Sequence, residues 1–262
     1  MSSNRPGNTR QERQLRRLRG TNVAVGLLHL AQAVLIVFIS NDFTIDVTAV
    51  FQEGPPGTDR FSNPESLFAV PFGYAIAVFL GLAALDHLLV ASPPAVDWYE
   101  RNLGREVNYA RWIEYSLSAS IMIVLIAMLT GITSVYALVG VFAINATMIW
   151  FGLLMERVSP DRTRPDWLPF LFGSLAGIVP WIIIAIALGG ASARGDGVPT
   201  FVFVIFLTLF VFFNSFAINM LLQYRRVGRW RNYLYGERAY ILLSLGAKSA
   251  LAWQVFGGTL AD

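Results

Sequence analysis

Seven stretches of mostly apolar side chains run through this 262-residue chain, at residues 20–40, 67–91, 108–130, 132–155, 167–188, 198–222 and 239–260. Each is about 20 residues or longer, the length an α-helix needs to cross the hydrocarbon core of a bilayer. The third and fourth are parted only by Gly131, which requires a tight turn. Asn63-Pro64-Glu65 and Ser92-Pro93-Pro94 flank the second, as proline flanks many helices. Pro71 and Pro180 fall inside apolar stretches, where proline is tolerated and kinks the helix. The pattern predicts an all-α membrane protein, a seven-transmembrane helix bundle without internal repeats. It divides the chain into a polar tail, residues 1–17, and a bundle domain, residues 18–262.

One long connector, residues 41–66, departs from the helical pattern. Val47-Thr-Ala-Val-Phe51 has the composition of a strand, and Gly54-Pro-Pro-Gly57 is a strong turn signal. The reading is a β-hairpin over the outer surface, acidic through Asp42, Asp46, Glu53, Asp59 and Glu65.

Composition agrees with a membrane protein. The chain is 55% hydrophobic and 14% charged, against about 25% charged in soluble domains. It has no cysteine, which excludes disulfides and cysteine–metal sites. Two histidines make a thin ligand set, so no metal site is expected. The Arg-rich first residues lack the apolar core of a secretory signal. They read as a membrane flank rather than a nucleic-acid arm.

Charge position sets the expected orientation. Seventeen arginines lie in the N-terminal tail and in the connectors after spans 2, 4 and 6; only Arg60 and Arg194 lie on the other side. The positive-inside rule then puts the N-terminus in the cytoplasm and, after seven spans, the C-terminus outside the cell membrane.

Candidate chemistry begins with a single residue. Of 20 basic side chains one is lysine, Lys248, in the middle of the seventh apolar stretch. A charged lysine at mid-membrane costs roughly 2.5–3.5 kcal/mol on insertion scales. Unlike arginine, its amine can lose a proton and attack an aldehyde. The other ionisable groups within spans are read as His29, Asp86, His87 and Glu114. Either Glu114 or Asp86 could supply the anion for Lys248, and depth favours Glu114. Lys248 lies ten residues after Arg238, about 15 Å along its helix, and its side chain leans back toward the helix start. Glu114 lies nine residues after Arg105, so the two meet if the third helix begins near Asn102–Arg105. Asp86, late in its helix, is expected near the arginine-rich face. Ser244 and Ser118 stand four residues from Lys248 and Glu114 and share their faces. Plain structural readings exist for all of these: a buried ion pair, helix-gluing polar contacts, serine back-bonding, and an Asp86 in contact with water.

A lysine in the seventh helix and a carboxylate in the third resemble the retinal-binding rhodopsins. Arg111-Trp-Ile-Glu114-Tyr-Ser-Leu-Ser118, Phe212-Phe-Asn-Ser-Phe216, Gly236-Glu-Arg-Ala-Tyr240 and Leu243-Ser-Leu-Gly-Ala-Lys248-Ser-Ala-Leu-Ala-Trp253 are similar to heliorhodopsin sequences, as are the Gly54-Pro-Pro-Gly57 loop and Gly177-Ile-Val-Pro-Trp181. The similarity covers residues 18–261. It implies a light-sensing photoreceptor with all-trans retinal on Lys248 as a protonated Schiff base, Glu114 as counterion, and a slow photocycle without net pumping. It also implies that His29, His87, Ser118, Ser244 and Asn108 form the polar environment of that group and move its proton. Tyr115, Met122, Asn145, Phe213 and Phe216 would line the retinal pocket. A homodimer and a cytoplasmic signalling partner belong to the same expectation. Asp86 departs from the family pattern.

A pump also needs proton routes across the whole membrane. Beyond Glu114 the third span continues Leu125-Ile-Ala-Met-Leu-Thr130, without an acid. That favours a sensor, not an enzyme. The alternatives are a light-driven or light-gated ion transporter and a seven-helix protein that binds no retinal.

Overall fold

The computed structural model describes residues 6–160, 162–194 and 197–261, with side chains from residue 11 onward. Seven helices have the length and composition to cross a membrane: α1 (Pro6–Ile39), α2 (Phe72–Ala91), α4 (Tyr109–Leu129), α5 (Val135–Val158), α6 (Leu168–Ser192), α7 (Thr200–Tyr224) and α8 (Tyr233–Val255). A shorter helix, α3 (Pro93–Leu103), joins α2 to α4, and α8 continues into a π-helical turn, Phe256–Leu260. The expected seven-helix bundle is present. Its outward faces carry large apolar residues such as Phe38, Ile186 and Val211, as a surface solvated by lipid requires.

α1 starts earlier than the apolar run, which begins at residue 20, and passes without a break through the boundary at 17/18. At 34 residues it is about 50 Å long, well beyond a hydrocarbon core of about 30 Å. Around residues 18–19 it is held by protein. Leu18 packs with Tyr99 and Leu103 of α3, and Arg19 Nε donates to the Ala91 carbonyl at 2.9 Å.

The expected hairpin is also present, with a correction to its return strand. β1 (Thr44–Ala49) pairs antiparallel with β2 (Glu65–Pro71). The start of the second apolar run is therefore strand, and Pro71 ends β2 just before α2 instead of kinking a helix. A strand with apolar residues on both sides reads like a helix by hydropathy alone. Pro180 does lie inside α6. The hairpin docks on the α4–α5 connection: Thr48 N donates to the Thr133 carbonyl at 2.9 Å, and the two threonine hydroxyls are 3.1 Å apart. That connection spans residues 130–134, more than Gly131 alone, and Gly131 takes φ 90° to close the α4 end.

The interior is divided by chemistry. Toward the hairpin end, α1, α2, α4, α7 and α8 close around Ile36, Phe72, Phe79, Ile123, Leu209 and Leu251, all fully buried. Toward the arginine-rich end the buried residues include Asn22, Asn108, Arg111, Glu156 and Glu237.

Candidate functional site

Glu114 and Lys248 meet in the core, at 6% and 3% exposure. Lys248 Nζ lies 3.1 Å from Glu114 Oε1 and donates to Glu114 Oε2 at 3.2 Å and to Ser244 Oγ at 2.7 Å. It also sits 4.9 Å from the Tyr115 ring centroid. The pair forms without the early helix start that depth arithmetic demanded. Residues 102–108 close α3 and reverse the chain, and α4 begins at Tyr109.

An apolar and aromatic slot opens against this amine. A cavity of about 60 Å³ beside Lys248 is lined by Tyr115, Met122, Phe213, Phe216 and Ser244, among others. A second, of about 110 Å³, shares Tyr115, Phe213 and Phe216 and runs toward Pro169 and Gly173 of α6. Trp181 closes the aromatic side, packing edge-on against Phe213 at 5.4 Å. The expected pocket residue Asn145 lines neither cavity; it donates to Ser120 Oγ at 3.0 Å.

His29 and His87 stand on α1 and α2 with rings stacked at 5.9 Å. His87 Nδ1–H donates to Asn22 Oδ1 at 2.8 Å. Neither His29 nitrogen has a protein partner, and nor does Ser118 Oγ, although all are buried. The charge of Lys248 acts on both imidazoles. Asp86 is half-buried, and among the described residues it has no hydrogen bond or ion pair within 4 Å.

Asn108 belongs elsewhere. Its Oδ1 caps α4 by accepting from Arg111 N at 3.1 Å, and its Nδ2 donates to Glu237 Oε2 at 2.7 Å. It joins a buried ionic cluster that sequence reasoning missed. Arg111 pairs with Glu156 at 2.6 Å and with Glu237, and its guanidinium lies 4.0 Å over the Tyr240 ring. Trp112 Nε1 donates to Glu156 Oε2 at 2.6 Å. A usable signal was present: Glu237, Tyr240, Ser244 and Lys248 follow at steps of three or four residues, as do Arg111, Glu114 and Ser118. Each set occupies one helix face. The cluster connects to Lys248 through Tyr240, whose carbonyl accepts from Tyr115 OH at 3.0 Å.

Gly152 makes room for this cluster. A Cβ there would lie 2.3 Å from the Trp112 ring. Gly152→Ala is expected to push Trp112 off Glu156 and cost about 1–3 kcal/mol, measured as a lower melting temperature with altered tryptophan fluorescence. Outside the spans, Arg162 remains a cation. Burial opposes its charge, but Tyr224, Glu156, Tyr233 and Glu106 outweigh burial and hold its pKa above the ordinary arginine value.

The heliorhodopsin family model matches residues 18–260, nearly the whole chain. The chain belongs to the heliorhodopsin family. Among solved structures it is similar to a light-driven proton pump from Leptosphaeria maculans, at 14% identity and a TM-score of 0.62, over 92% of this chain and 95% of that one. At that identity the likeness shows the shared fold alone. A comparison with curated proteins found no match. Family membership makes this a retinal-based, light-responsive membrane protein rather than a classical enzyme.

Proposed function

We propose that the protein is a photoreceptor carrying all-trans retinal on Lys248, with Glu114 as the counterion and no net ion transport. The observation that supports it best is the buried amine of Lys248, paired to one carboxylate and facing an aromatic slot. The residues fit the group: a primary amine at one end, apolar walls, and a hydroxyl and a carboxylate beside the nitrogen. Bound there, retinal supplies visible absorption and a light-driven isomerisation that displaces the Lys248 nitrogen. Glu114 holds the proton at that nitrogen by stabilising its positive charge. Ser244 orients it. His29 and His87, stacked nearby and acted on by the same charge, are the groups to receive a proton on the arginine-rich side. Tyr115, Met122, Phe213 and Phe216 shape the slot and exclude water. Asn108 acts at one remove, through Glu237 and Arg111. A homodimer and a cytoplasmic signalling partner, implied by the resemblance, complete the reading.

The apolar hairpin-end half supports a sensor over a pump. Among the described residues no acid lies along α4 beyond Glu114. Expression with added retinal should give a visible band, and illumination in unbuffered suspension no sustained pH change. A protonophore-sensitive pH change would instead favour the transporter reading, for which Asp86 is the supporting observation, and Asp86→Asn would be the variant to compare.

The arginine asymmetry supports a cytoplasmic N-terminus and an external C-terminus. A tag at Met1 is expected to resist protease in intact cells, and one after Asp262 to be cleaved. The opposite pattern would invert the assignment.

A further inference from the structure

A separate cavity lies away from Lys248, at the arginine-rich end, where the α4 entry, the α5–α6 connection and the α7–α8 linker converge. It measures about 160 Å³ and is predominantly polar, walled by Arg162, Arg226, Arg231, Glu106, Trp230 and Tyr233 among others. At ~30 Å³ of liquid per water it has room for several waters, enough for a compact anion.

Its described lining is rich in arginine. Arg162 is buried and pairs with Glu106 at 2.7 Å, with a longer contact to Glu156 at 3.9 Å. Arg226 and Arg231 have no carboxylate within 4 Å among the described residues. They are nevertheless held together, because Arg231 Nε donates to the Arg226 carbonyl at 3.1 Å. Among the described lining residues, three guanidiniums share the wall with one acid, Glu106. Guanidinium forks match the oxygens of a phosphoryl group.

Two helix ends meet on this wall. Among the described residues only two non-glycine residues adopt positive φ, Glu106 at 59° and Arg226 at 52°. Both are on this wall. Each is the left-handed residue that closes a helix, α3 and α7: Val107 N donates to the Asn102 carbonyl and Val227 N to the Leu222 carbonyl, both at 3.1 Å, so two helix caps fix the shape of this wall. Arg162 is fixed by packing: its guanidinium lies between the Tyr224 and Tyr233 rings, at 4.3 and 4.8 Å, and its Nη2 donates to the Glu106 carbonyl at 3.0 Å.

We infer that this cavity is an anion site for a phosphoryl group, held by Arg226 and Arg231 against the fixed Arg162. The group can arrive as free phosphate or a soluble phosphate ester, or as the headgroup of an anionic lipid at the membrane surface.

The full chain, purified with its chromophore and placed in nanodiscs of phosphatidylcholine alone, is titrated with inorganic phosphate by calorimetry, with chloride holding ionic strength constant. Saturable binding in the wild type, weakened at least tenfold in the Arg226→Gln/Arg231→Gln double variant, supports a soluble source. In mixed nanodiscs with phosphatidic acid, enrichment of the anionic lipid around the wild type, lost in the double variant, supports a lipid source. Both arginines are exposed, so the variant keeps its core, and an unchanged melting temperature confirms this. Neither phosphate binding nor lipid enrichment in the wild type overturns the inference. So does binding that survives unchanged in the double variant. These readouts need no visible light and stand apart from the assignment of Lys248.

Discussion

Protein with Lys248 replaced by alanine or arginine, expressed with retinal, is expected to show no visible absorption band at all. The effect is complete because the chain has no other lysine to take over. The two substitutions separate two roles. Alanine removes the amine and leaves Glu114 buried without its cation, at a cost of about 3–5 kcal/mol. Arginine keeps a cation that can still pair with Glu114, but its guanidinium does not deprotonate and cannot act as a nucleophile. A merely structural ion pair would survive Lys248→Arg with the colour intact. Hydroxylamine should bleach the illuminated wild type. A coloured Lys248→Ala protein without an added free amine would end the covalent assignment.

Glu114→Gln is expected to have the next largest effect. Glutamine keeps the shape and removes the negative charge 3.1 Å from the Lys248 nitrogen. The sign follows from the charges: a cation deprived of its anion gives up its proton more readily. The visible band should therefore disappear at a lower pH than in wild type. The fraction that stays protonated should absorb at longer wavelength, since its positive charge spreads further along the polyene. Added chloride should restore part of the original spectrum by taking the carboxylate's place. A titration of the visible band that coincides with wild type, with the same maximum, would rule Glu114 out. Asp86 would then be examined first, as the other acid that the sequence offers to Lys248 within the spans.

The parts legible in the sequence were those written in composition and period. Seven apolar runs became seven spanning helices, and the lone lysine met the carboxylate that depth selected. Tyr115, Met122, Phe213 and Phe216, which the resemblance names as pocket residues, line the cavity beside Lys248. What hydropathy concealed were polar groups near helix ends. Arg111, Glu156 and Glu237 sit within a few turns of the arginine-rich face, where charge ordinarily means solvent. In the structure they are at most 4% exposed, because each neutralises another. Asn108 was misplaced for the same reason: as the residue that caps α4 it faces this cluster rather than Lys248. β2 was hidden inside an apolar run, and α3, too short to span, was hidden in a connector. Pairing between distant segments decides all of these, and no local pattern records it.

The unequal halves of the bundle also determine where an applied voltage acts. An electric field concentrates in the layer that polarises least. Here that layer is the dry hairpin-end half, packed with Ile36, Phe79, Ile123 and Leu251. The opposite half, with its ion pairs and histidines, is expected to be more polarisable and to carry less of the drop. Lys248 and Glu114 sit at the boundary. A proton passing from there to the hairpin side would cross most of the field, worth about 2.3 kcal/mol per 100 mV for a full crossing. One that moves toward His29 and His87 crosses little of it. On the proposed assignment, a proton that moves from Lys248 toward His29 and His87 is expected to be nearly blind to the membrane potential, so the photocycle should run at the same rate in an energised vesicle and a depolarised one.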